Sequence, residues 1–116
     1  MRRNWASLGF CMALLAVGSA FGHARLLGAV PAPDAELTGP PPSLTLKFNE
    51  SVRLGMLQLW TAGHEIPLTI DHDAPAASTV TLPLPRLAAG TYEVRWSALT
   101  ASDGHVVKGV YSFSIR

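Results

Sequence analysis

Cysteine is nearly missing: Cys11 is the only one in 116 residues. No intrachain disulfide can staple the fold, and no multi-thiolate metal site can be built. Methionine is almost as scarce, with Met56 the only one beyond Met1 and Met12, so nitrogen and oxygen are the ligands on offer to any bound ion. Charged residues make up 15% of the chain, and the basic ones are scattered, which excludes the basic stripe of a nucleic-acid binder. One apolar run stands out, Trp5 to Phe21, shorter than the roughly 20 residues a membrane span requires.

That run has the order of a secretory leader. Arg2 and Arg3 come first, then the apolar stretch, then Ser19, Ala20 and Gly22, which is the positive, apolar, small-residue sequence that a signal peptidase reads. Ala20 and Gly22 take the two small-residue positions, so cleavage is expected after Gly22. Cys11 lies inside the apolar run rather than at its end, which argues against acylation there. The expected division is residues 1–22 as leader and 23–116 as one domain, with seven basic against eight acidic side chains in the domain. At 94 residues it is small but able to hold one core. An exported, monomeric protein is the expectation, with no nucleic acid as partner.

From Ala24 onward, short alternating runs are separated by Pro, Gly, Asp and Ser, the pattern of an all-β domain. Strands are expected near Arg25 to Val30, Ser43 to Phe48, Met56 to Trp60, Glu65 to Ile70, Thr79 to Leu82, Thr91 to Ala98 and Val110 to Ile115. Alternation is clearest in Leu44, Leu46 and Phe48, and in Tyr92, Val94 and Trp96, each run giving one core face and one wet face. Trp60 and Trp96 are both read as core. Thr61-Ala62-Gly63 reads as a hairpin turn, and the proline-rich Pro31 to Pro42 segment as a loop. Gly90-Thr91-Tyr92 fits either a tyrosine corner of a Greek-key sandwich or an ordinary strand-start tyrosine. A seven-stranded Greek-key β-sandwich or barrel, immunoglobulin-like with cupredoxin-like topology, is the expected fold.

Four histidines carry the candidate chemistry: His23, His64, His72 and His105. Cleavage after Gly22 makes His23 amino-terminal, where its α-amine and imidazole Nδ1 can close a six-membered chelate ring on one ion. Copper(II) favours such tetragonal nitrogen and oxygen ligation and heads the divalent affinity series. A free α-amine titrates at about 8, so its proton must be displaced, and binding weakens on acidification. A solvated first residue fits His23 equally well on residue type alone. Asp103-Gly104-His105 places a carboxylate and an imidazole two residues apart across a glycine that permits a sharp bend; an Asp-Gly turn with an exposed histidine is the plainer reading. His64, at the hairpin turn, and His72, between Asp71 and Asp73, read as solvated surface residues offering weak metal contacts.

The succession His23-Ala-Arg-Leu, Pro31-Ala-Pro-Asp-Ala, Leu46-Lys-Phe-Asn-Glu, Gly90-Thr-Tyr-Glu-Val-Arg-Trp, Ser102-Asp-Gly-His and Gly109-Val-Tyr-Ser-Phe resembles the CopC family of periplasmic copper-resistance proteins, across residues 23–116. The resemblance implies a seven-stranded Greek-key barrel or sandwich. It also implies one copper(II) ion per chain, held by the amine and imidazole of His23, the imidazole of His105 and a carboxylate oxygen of Asp103. Glu50 falls where the family carries an acidic residue close to the copper, and a hydrogen bond to the amine is favoured over direct ligation. Sequestration or carriage of copper in the periplasm is the implied role, with a separate CopD-like membrane transporter as partner. Some members hold copper(I) on several mid-chain methionines; with Met56 alone in that stretch, no copper(I) site is expected. No enzymatic activity is expected. The competing classes are a histidine-brace copper oxidase and a metal-free immunoglobulin-like interaction module.

Overall fold

The computed structural model describes residues 24–116; His23 and the expected leader lie outside the described residues. Seven strands follow in order: β1 (Leu26–Val30), β2 (Glu36–Leu37), β3 (Ser43–Thr61), β4 (His64–Ile66), β5 (Ala77–Pro83), β6 (Gly90–Thr100) and β7 (Val106–Ile115). No helix occurs among the described residues.

β3 organises the molecule. Its first half has β1 on one side, with Leu26 opposite Phe48 and Val30 opposite Thr45. On the other side lies β5, with Leu44 opposite Leu82. Its second half pairs with β6 from Val52 to Trp60 and with β4 from Leu59 to Thr61. The sheet order is β1-β3-β6-β7-β2, with β4 and β5 also on β3. Because β3 changes neighbours along its length, the sheet curls around one core. The expected all-β, seven-stranded Greek-key architecture is the observed one.

Ser43–Phe48 and Met56–Trp60 prove to be two ends of one 19-residue strand. The alternation breaks between them for a physical reason. Leu54 faces Ala98 and Met56 faces Ser97, so Gly55 is an extra residue, a β-bulge. One inserted residue exchanges the two faces of a strand. Leu44, Leu46, Phe48 and Val52 point inward before the bulge, Leu57 and Leu59 after it. That phase puts Trp60 on the outer face. It is half-buried, with the Arg95 guanidinium 4.4 Å from its ring centroid and Nε1 donating to Gln58 Oε1 at 3.1 Å. The reading of Trp60 as core is therefore corrected, whereas Trp96 is buried.

Other boundaries moved less. β2 lies within the expected 31–42 loop and pairs parallel with the end of β7. The strand expected over Glu65 to Ile70 contracts to His64–Ile66, while β7 begins four residues earlier than expected. Ala62 and Gly63 have φ of 50° and 82°, the doubly positive turn that matches strand twist in two-residue hairpins. The Tyr92 hydroxyl donates to the Ala88 carbonyl at 2.7 Å, so the tyrosine corner is the correct alternative.

Aromatic packing fixes the core. Phe48 meets Trp96 edge-on, with centroids 5.3 Å apart. Tyr92 stacks on Phe113 at 5.5 Å. Opposite Trp96 on β7 stands Gly109, and a Cβ there would lie 2.7 Å from Trp96 Cζ2 and 2.9 Å from Cε2. No side chain fits without displacing an indole already wedged against Phe48. Gly109→Ala is expected to lower stability by about 1–3 kcal/mol, the usual cost of overpacking. A urea midpoint equal to that of the parent would show that the indole yields freely.

Candidate metal centre

The β6–β7 connection carries the expected pair. Thr100 closes β6 and its backbone clamps the loop twice: its N–H donates to the His105 carbonyl at 2.8 Å, and its carbonyl accepts from Gly104 N–H at 2.8 Å. Gly104 takes φ of 73°, a left-handed conformation that favours glycine, and the chain thereby doubles back. Asp103 and His105 are brought together. Asp103 Oδ1 accepts from the His105 backbone N–H at 3.0 Å, and Oδ2 lies 3.1 Å from His105 Nδ1. An imidazole donating Nδ1–H to a carboxylate keeps its lone pair on Nε2, the arrangement of an oriented histidine ligand. Both side chains are about half exposed, at 56% and 47%, so an ion can reach them from solvent.

β3 supports this loop at its bend. The Ser51 carbonyl accepts from Ala101 N–H at 3.0 Å, and the Glu50 carboxylate accepts from Ser102 Oγ at 3.2 Å. Glu50, half-buried, thus sits against the loop that bears Asp103 and His105. The same bend holds the start of the described chain: Arg25 N–H donates to Asn49 Oδ1 at 2.7 Å, and Asn49 N–H donates to the Arg25 carbonyl at 3.1 Å. Ala24 is buried. Asn49, Glu50 and Ser51 therefore bridge the residues that follow His23 to the β6–β7 loop. β1 reaches that loop through β3, although its sheet partner is not β6.

Among the described residues no group of three His, Cys, Asp or Glu side chains could hold an ion; the pair Asp103 and His105 needs ligands from elsewhere, and His23 lies outside the described residues. His64 and His72 are exposed and are not brought to the loop. His64 opens β4 opposite Thr61, ten residues along β3 from Ser51. His72 lies in a turn where Asp73 N–H donates to Asp71 Oδ1 at 2.9 Å. Met56 is half-buried opposite Ser97. A cleft of about 290 Å³ beneath residues 69–77, lined by Val52, Ile70, Val80 and Leu82, contains neither Asp103 nor His105. Asn49 and Ser102 are the supporting residues that the sequence reading did not single out; a polar side chain before Glu50 and another before Asp103 are too common to carry a signal.

The fold and this loop define a small all-β protein that presents an oriented carboxylate–imidazole pair on a hairpin, beside the strand bend that holds Arg25. The chain belongs to the CopC family: residues 26–116 match the CopC domain. It is 31% identical to Protein YobA of Escherichia coli K12 over 119 residues, 95% of each chain, and 32% identical to a copper resistance protein C of E. coli over 109 residues, 84% of this chain and 85% of that one. The solved structure of CopC from Methylosinus trichosporium OB3b superposes with a TM-score of 0.68 at 28% identity, covering 80% of this chain and 93% of that one.

Proposed function

We propose that this protein is an exported, monomeric, periplasmic copper(II) carrier, with His23 made amino-terminal by cleavage after Gly22. In this reading one ion is held by the amine and imidazole of His23 with Asp103 and His105, and Glu50 accepts a hydrogen bond from the amine. The observation that carries it is the loop itself. Asp103 and His105 meet within 3.1 Å on a connection tied through Glu50 and Ser51 to the bend that also holds Arg25. The protein is a buffer or courier rather than an enzyme. It passes copper to a separate CopD-like membrane importer, and the ion is its cargo.

The donor set is nitrogen and oxygen, which favours copper(II), and sulfur donors for copper(I) are confined to Met56 among residues 23–116. Reduction of the ion by an external one-electron donor would therefore weaken the grip and release it. The test is mass spectrometry of the exported protein followed by titration of that species with each oxidation state. A first residue of His23, one copper(II) per chain and much weaker copper(I) binding are expected; equal affinity for both states would overturn the reading. Incubation with polysaccharide and peroxide is expected to give no oxidative turnover, and cleavage would instead favour a histidine-brace oxidase.

A further inference from the structure

Two buried hydroxyls have no hydrogen-bond partner among the described residues, Thr100 Oγ1 and the Tyr111 hydroxyl. They differ in where they sit. Tyr111 faces Val94 in the middle of the β6–β7 ladder, and burial raises its pKa to about 12. Thr100 is the last residue of β6, 1% exposed and the only polar residue fully buried among the described residues. Along β6 the inward positions are Tyr92, Val94, Trp96, Ala98 and Thr100, so its side chain points to the inner side, at the base of the Asp103–His105 loop. Its backbone N–H and carbonyl are the two groups that close that loop.

Leaving a buried hydroxyl unbonded costs roughly 1–3 kcal/mol, and valine would fill the same place without that cost. Neighbouring polar side chains at this bend are engaged: Asn49 on Arg25, and the Ser102 hydroxyl on Glu50. A coordinated amine or water carries N–H or O–H hydrogens made more acidic by the ion, and these need acceptors. Glu50 is one acceptor at the loop. We propose that Thr100 is a positioning residue for copper, its Oγ1 accepting a hydrogen bond from a metal-bound N–H or O–H group on the inner side of the site. This rests on the copper(II) reading above.

The test compares Thr100→Val and Thr100→Ser with the parent in a chelator-competition titration with copper(II), in the electron paramagnetic resonance spectrum of the loaded protein, and in metal-free urea unfolding. Loss of a partner beyond the ligands lowers metal affinity about 10–100-fold. The valine variant is expected to lose that much and to show altered copper hyperfine values, with a metal-free urea midpoint at or above the parent's. The serine variant, which keeps the hydroxyl, is expected to retain affinity and spectrum. Unchanged affinity and spectrum for the valine variant overturn the proposal, as does an equal loss in both variants, which would assign Thr100 a packing role. A parent protein that fails to bind copper(II) would defeat the copper reading itself, an outcome distinct from either.

Discussion

One glycine added ahead of His23 in the processed protein is expected to abolish copper(II) binding at the folded site, leaving a Gly-His chelate that serves the unfolded chain equally and so adds no stability. The extension leaves every side chain in place and converts the α-amine to an amide, whose nitrogen has no lone pair to offer without losing a proton. The six-membered ring between amine and Nδ1 can then no longer form. Disturbing a group behind a ligand costs roughly 10–100-fold, so removing a ligand outright is expected to exceed about 100-fold. A copper-induced rise in melting temperature reads this directly. Ligand at a thousand times its dissociation constant stabilises by about 4 kcal/mol, and each kcal/mol moves the midpoint of a domain this size by about 4–8 °C. The parent is expected to gain well over 10 °C with excess copper(II), and the extended protein almost none, while their metal-free midpoints coincide. An undiminished shift in the extended protein would remove His23 from the site. Acidification is expected to act in the same direction on the parent, since protons compete with the ion for the amine and the imidazoles.

The all-β class was legible because alternation survives wherever one face is buried: Leu44, Leu46 and Phe48, then Tyr92, Val94 and Trp96, all reappear on the inner face. What alternation cannot carry is continuity through a bulge. Gly55 shifts the phase of β3 by one residue, so its halves read as separate strands and Trp60 reads as core. β2 was missed because its two residues are too few for any period to show. At the site, the Asp103-Gly104-His105 spacing was legible as a turn able to bring a carboxylate and an imidazole together, and the loop does so. Glu50 needed the family resemblance, since its contact with Ser102 spans 52 positions and leaves no local trace. The support from Asn49 was illegible for the same reason: it acts through a pairing with Arg25 that only the bend of β3 creates.

In the proposed site Asp103 has two duties, and separating them gives the second large expectation. As a ligand it contributes charge and an oxygen. As the acceptor for both the His105 backbone N–H and Nδ1 it also sets the orientation and tautomer of the imidazole. His105→Ala removes one ligand cleanly and is expected to weaken copper(II) binding by more than about 100-fold. The side chain is exposed and outside the core, so its metal-free stability is expected to change by no more than about 0.5 kcal/mol. Asp103→Asn keeps the size of the side chain but places an amide opposite Nδ1. With the carbonyl oxygen held by the His105 N–H, the amide NH₂ faces the ring and donates to Nδ1, which moves the imidazole proton to Nε2 and takes the lone pair from the atom left for the ion. Asparagine is therefore expected to lose at least as much affinity as Asp103→Ala, whose imidazole remains able to choose its tautomer, although asparagine retains an oxygen that alanine lacks. Competition titration of the three variants ranks them. If Asp103→Asn binds clearly better than Asp103→Ala, the carboxylate acts on copper as a ligand alone, and its hold on His105 has no part in the affinity.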